Sequence, residues 1–330
     1  MLDTEKILAL YGANGSILKT IDTSRGDADA RFTFAAAYPN GQRLAIKAAR
    51  NAWTNAQRVC GWAMLEEHYN RLGIYAPRIV PNVYNQLSYE LDGYVVYAET
   101  WVTDRILEKL EEKNADLDAA AIETIGILAA NPAPLVPWVT SYSLLDVFEP
   151  SDPCDEWLSN ARKMQEFFNK YTPQYAARMR EIMIVLEEKR QRLEPLYRAL
   201  PRAVFQGDMN GTNIIVDERG KFKGLIDFNL SGTEPILHYA FCECYAPDET
   251  LEDTSFAATA HNFTLVGRHY RFTEMERDVM NLYYNVIAPF LNFPIDLEDH
   301  RDAPDYWAER TLDYIEREMT RSDAHRLLPP

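Results

Sequence analysis

Cysteine is scarce in this chain: four in 330 residues, too few to staple a fold of this length, so the expected compartment is a reducing cytoplasm. Long apolar runs are missing as well. None approaches the ~20 residues that span a bilayer, and Asp3, Glu5 and Lys6 interrupt the stretch where a signal peptide would be apolar. Glycine and proline are modest, at 14 and 18 residues, while aromatics reach 12%, which excludes collagen-like and disordered chains. Basic charge is in deficit, with 34 Lys and Arg against 50 Asp and Glu, a net of −16. A chain so acidic is a poor partner for nucleic acid or an anionic membrane surface.

The deficit is not uniform. Residues 1–102 hold ten residues of each sign, so the whole excess lies in 103–330. Between Ser231 and Gly267 there are six acidic residues, Glu234, Glu243, Asp248, Glu249, Glu252 and Asp253, with no Lys or Arg. This pattern fits either a solvated helical face or a site for a cationic ligand.

The first hundred residues read as strands around one helix. Ser16 to Asp22, Arg31 to Ala37 and Arg43 to Ala49 are β-like, and Asn40-Gly41 marks a hairpin. Ala56 to Leu72 carries a helical stripe of Val59, Trp62, Leu65 and Tyr69, ended by Gly73 and Pro77. Val83 to Glu90 and Tyr94 to Val102 are read as two more strands around Asp92-Gly93. Beyond Thr103 helices dominate: Asp118 to Ala130, Trp157 to Tyr171 and Gln174 to Leu193, the last to be kinked or ended by Pro195. Two short strands, Asn213 to Val216 and Gly224 to Ile226, interrupt them around Asp217-Glu218-Arg219-Gly220. The expected architecture is α+β with two lobes and a cleft. A small antiparallel sheet lobe (1–102) bears one main helix, and a larger, mostly helical lobe (103–330) follows.

Chemistry concentrates in Gln206-Gly207-Asp208-Met209-Asn210-Gly211-Thr212-Asn213 and Ile226-Asp227-Phe228. A hairpin would set Asn213 beside Asp227, two hard oxygen donors suited to Mg²⁺, with Asp208 near as a carboxylate able to orient a hydroxyl. That set is what metal-assisted phosphoryl transfer requires. The rival readings lack support. The six histidines form no zinc motif, no GxSxG or Walker A loop occurs, and Cys242 and Cys244 are two apart, so core packing suits them better than a metal.

The segment resembles the HGDxxxxN…(I/V)D(F/W) signature of the aminoglycoside phosphotransferase and choline kinase family, which has a protein-kinase-like fold. Leu44-Ala45-Ile46-Lys47 resembles that family's phosphate-binding lysine strand. Glu66, 19 residues later, falls where the family places the lysine's ion-pair partner; helix phase favours it over Glu67. The likeness spans roughly 15 to 240. It implies ATP- or GTP-dependent phosphorylation of a small-molecule hydroxyl. Lys47, oriented by Glu66, would neutralise phosphate charge, and Ser24 would approach the phosphates from a first turn that has one glycine. Ala45 and Ile226 would contact adenine, and the backbone at Glu99 and Trp101 would bond it. Asn213 and Asp227 would hold Mg²⁺, and Asp208 would position the acceptor hydroxyl. Gln206 departs from the family's histidine, and His238 stands near the place of an aspartate that braces the loop. The acidic surplus favours a cationic acceptor: an aminoglycoside, another amino-sugar antibiotic or a choline-like amine. Homoserine, sugar or macrolide acceptors, or a regulatory nucleotide-binding pseudokinase, are the alternatives.

Overall fold

The computed structural model describes residues 2–109, 112, 114–149, 156–246, 251, 254–291 and 304–330. The chain opens with a short helix α1 (Thr4–Ala9), then strands β1 (Ser16–Asp22), β2 (Ala30–Ala37) and β3 (Arg43–Arg50), and helix α2 (Ala56–Arg71). Strands β4 (Ile79–Val80), β5 (Tyr89–Leu91), β6 (Tyr94–Thr100) and β7 (Arg105–Ile106) lead into α3 (Ala115–Ala130), α4 (Glu156–Tyr171) and α5 (Ala176–Ala199). Strands β8 (Arg202–Phe205), β9 (Ile214–Val216), β10 (Phe222–Leu225) and β11 (Gly232–Pro235) precede α6 (Ile236–Cys244), α7 (Thr254–Gly267), α8 (Glu274–Ile287) and α9 (Pro304–Thr320).

The chain forms two compact units. One gathers 1–121, 148–151 and 206–232; the other gathers 122–147, 152–205 and 233–330. The segment 206–232, which holds the chemical motif, thus packs with the N-terminal sheet. The first unit is an antiparallel sheet with one main helix and the second is mostly helical, the α+β class expected.

In the first unit the sheet order is β1-β2-β3-β6-β4, with β5 on the same edge of β6 as β4. Alternation assigns its two faces. Phe34, Ala36, Leu44, Ile46, Ala48, Val96 and Ala98 form one buried face with Ile7, Leu10 and Tyr11 from α1 and the residues after it. The opposite face carries Arg31, Thr33, Lys47, Tyr97 and Glu99, by the pairings Arg31 with Ala49, Thr33 with Lys47, Lys47 with Tyr97 and Ala45 with Glu99. Helix α2 packs on that second face, its Trp62 ring 5.5 Å from Tyr97.

A second sheet, β10-β9-β7, carries the motif hairpin. It docks on Tyr75, whose N–H donates to Lys223 O and whose carbonyl accepts from Leu225 N. A Cβ on Gly224 would lie 1.8 Å from that carbonyl oxygen, so only glycine allows the approach.

Two sequence expectations differ from the structure. Val83 to Glu90 is mostly loop, because Asn82 Oδ1 accepts from Tyr84 N and Gln86 N and turns the chain before a ladder can form. Pro195 neither ends nor interrupts α5. It sits on an exposed face, between Leu193 and Tyr197, which are buried and hold the helix on both sides.

Candidate active site

Gly207 turns β8 into the motif loop at φ 87°, where a Cβ would meet Leu230 O at 2.3 Å. The preceding Gln206 is fully buried and uses both ends of its amide. Its Oε1 accepts from Asp208 N at 2.7 Å, and its Nε2 donates to Ile226 O at 2.9 Å and Asp227 O at 2.8 Å. One side chain therefore ties Asp208 to Asp227, with fixed donors and acceptor and no proton to gain or lose. Tyr69 OH accepts from Gln206 N at 3.1 Å. His238 takes no part in this loop. Its ring bonds Tyr283 OH at 2.8 Å and Tyr142 O at 2.5 Å inside the helical unit.

Asp208 is held by two amides. Oδ1 accepts from Asn210 Nδ2 at 2.6 Å and Oδ2 from Asn213 Nδ2 at 3.0 Å. Burial raises its pKa, opposed by those hydrogen bonds and reinforced by the charge of Asp227. Asn213 Nδ2 also donates to Asp208 O at 2.9 Å, which commits its nitrogen and leaves its Oδ1 as the donor atom of the pair. Ile226 N donates to Asn213 O at 2.9 Å, so Asn213 and Asp227 lie on adjoining stretches of chain. Asp227 adopts a left-handed backbone, φ 60° and ψ 71°, uncommon for a non-glycine residue. Its side chain is 38% exposed. An amide oxygen and a carboxylate are the hard donors a Mg²⁺ ion takes, so this pair fits the ion.

Lys47 lies on the second face of the main sheet. Its Nζ is 2.8 Å from Glu99 Oε1 and 3.3 Å from Asp227 Oδ1. Burial works against its charge, but Glu99, Tyr97 and Asp227 outweigh it and its pKa rises well above the usual value. The expected Lys47–Glu66 ion pair is not made. Glu66 is buried, and its Oε2 accepts from Ile79 N at 2.9 Å, anchoring the start of β4. Burial, with the charge of Glu99, pushes the Glu66 carboxyl well above the usual carboxylate range, opposed by the Ile79 N–H and the charge of Lys47. Glu99 takes the role instead, because it is the diagonal neighbour of Lys47 on the same sheet face. The sequence did carry this signal: a lone carboxylate in Val95-Val96-Tyr97-Ala98-Glu99, at the same inward phase as the lysine, needs a cation.

A cavity of about 640 Å³ opens beside these groups, within the usual range of small-molecule sites. Ala45, Lys47, Glu99, Trp101, Ile226 and Asp227 line it. The Glu99 carboxylate reaches Lys47, while its backbone lies in β6 paired with Ala45 of β3 and Ile79 of β4. Trp101 N–H donates to Arg43 O at 3.3 Å, and the residue borders the cavity. Ser24 is not in the lining; its Oγ accepts from Arg31 N at 2.9 Å, and Thr23 and Arg31 border the space instead. Sequence reasoning missed Thr23, Arg31 and Thr212.

A family model described as the phosphotransferase enzyme family matches residues 22–240. No curated protein sequence matches the chain. Solved structures of similar fold include an aminopropanol kinase associated with a microcompartment, 14% identical, with a TM-score of 0.57 and 98% of each chain covered. Another is an amicoumacin kinase in complex with AMP-PNP and Ca²⁺, 13% identical, TM-score 0.56, covering 98% of this chain and 96% of that one. A third is an aminoglycoside phosphotransferase from Alicyclobacillus acidocaldarius, 12% identical, TM-score 0.53, covering 96% and 95%.

Proposed function

The chain belongs to the phosphotransferase enzyme family and is a small-molecule kinase, and on that premise we propose that it transfers phosphate from ATP or GTP, with Mg²⁺, to a hydroxyl of a cationic acceptor. The observation that carries this reading is the grouping of Lys47, Asp208, Asn213 and Asp227 in one compact unit beside the cavity. Adenine or guanine would lie against Ala45 and Ile226. Lys47, held by Glu99, would neutralise phosphate charge, and Asp208 would align the acceptor hydroxyl and receive its proton late in transfer. Alignment and electrostatics carry most of such a reaction, so Asp208 need not be a strong base. Asn213 and Asp227 would hold the Mg²⁺, which when bound neutralises charge on the phosphoryl oxygens.

The acidic surplus of 103–330 supports a cationic acceptor. The six-residue acidic set shrinks, however. Glu234 is fully buried and accepts from Thr140 N and Oγ1 at 3.2 Å, and burial pushes it up to about 8. Asp248, Glu249, Glu252 and Asp253 lie outside the described residues. An aminopropanol kinase shares the fold, so amino alcohols enter the acceptor panel beside amino sugars, choline-like amines, macrolides and neutral sugars. The test is Mg²⁺-dependent release of ADP or GDP over that panel. Turnover confined to amine-bearing acceptors is expected. Turnover on neutral sugars alone would contradict the cationic acceptor, and nucleotide binding with no turnover on any acceptor would favour a pseudokinase.

A further inference from the structure

Arg31 belongs to the cavity wall and has no place in the chemistry above. It sits on β2, on the same sheet face as Lys47 and Glu99, and borders the cavity with Thr23 and Thr33. Register makes it the diagonal neighbour of Lys47, since Arg31 faces Ala49 and Lys47 faces Thr33. The diagonal continues to Glu99, so three charged side chains cross β2, β3 and β6 in a line. Diagonal neighbours stand ~7–8 Å apart, close enough for two long cations to reach one polyanion.

The guanidinium is fixed from behind and open in front. Its Nε is 3.1 Å from Asp29 Oδ1, without the alignment of a hydrogen bond, and its carbon lies 5.9 Å from the centre of the Trp53 ring. Asp29 is itself held by Asn51 Nδ2 at 3.2 Å. No hydrogen bond reaches either terminal nitrogen among the described residues, and only 19% of the side chain is exposed. A positioned guanidinium with free donors beside a second cation is suited to the oxygens of a phosphate chain. The turn before β2 contains one glycine, Gly26, between Thr23 and Asp29, so it offers little of the amide-rich cradle with which kinases cover phosphates.

We propose that Arg31 binds the phosphate chain of the nucleotide, supplying from a strand the contacts that a glycine-rich turn would otherwise give. This rests on reading the cavity as the nucleotide site. The test is calorimetric titration of the full chain and of R31A, R31K and R31Q with Mg-ATP, Mg-ADP and adenosine. R31A is expected to weaken ATP and ADP by ~10-fold or more, the size of a lost charge-assisted contact, while adenosine changes less than about two-fold; R31K should keep part of the affinity. If R31A fails to fold, R31Q, which keeps the stem over Trp53, answers the same question. ATP binding by R31A or R31Q equal to that of the wild type, or an equal loss for adenosine, would overturn the inference alone. Absence of ATP binding by the wild type would overturn it together with the reading it rests on.

Discussion

Lys47 stands between two carboxylates, and the one that holds it is not the helical one. Glu99 is 2.8 Å away and Glu66 is turned to the backbone of Ile79. Removing the charge at each position separates their roles. E99Q is expected to lower kcat/KM for the nucleotide by about ten-fold, because Lys47 loses a charged partner in a buried setting. E66Q should stay within about three-fold, since Glu66 bonds the backbone of Ile79 rather than Lys47 and an amide oxygen can accept that bond equally. Steady-state kinetics of both variants decides, and a larger loss in E66Q than in E99Q would restore the helical partner. Lys47, Asp208, Asn213 and Asp227 stand out in the sequence because each sits in a motif of set spacing, and the structure brings Lys47 to Asp227 and Asp208 to Asn213. Sequence reasoning misassigned the lysine's partner because two glutamates could reach it and strand register, not spacing, decides between them.

Elements place these side chains through close backbone approaches. Gly207 lets the motif loop pass Leu230, and Gly224 lets the hairpin dock on Tyr75. G224A is expected to destabilise the protein by about 1–3 kcal/mol or more, as overpacking against backbone does, read as a fall in the urea midpoint. G207A adds a φ penalty at 87° to its clash. It should cost turnover as well as stability, through the position of Asp208; normal turnover in a folded G207A would contradict that coupling. The strands β1 to β3 and helix α2 were legible within a residue or so, because period and turn chemistry agree there. Strands β7, β8 and β11 were not, since segments of two to four residues carry no period. The loop after Asn82 was hidden by its β-like composition.

At the scale of the molecule, two buried groups in the helical unit set opposite pH slopes. His238 is pushed down to about 4 by burial, so its neutral form is favoured and stability is lost as pH falls below about 6.5. Glu234 is pushed up to about 8, so its protonated form is favoured and stability is lost as pH rises from about 4.5 through 8. The slopes offset one another between those starting points, and above pH 6.5 the Glu234 slope stands alone in this pair. Stability is therefore expected to fall by on the order of 1 kcal/mol between pH 6.5 and 8, with E234Q flattening the fall in urea titrations. A wild-type protein equally stable at both pH values would contradict this. The net charge of −16 is partly such buried chemistry: Glu234 is counted in it, but with its carboxyl pushed up to about 8 the protonated form is favoured at neutral pH.

In the proposed reaction Asp208 acts on an acceptor hydroxyl beside nucleotide held at Lys47 and Asp227. Its most direct test is acceptor-dependent ADP or GDP release by D208N, with the nucleotide KM measured alongside. A fall in kcat of at least ~100-fold is expected, the usual size of acid–base contributions, with a nucleotide KM within about three-fold of wild type. A kcat near that of the wild type would contradict it.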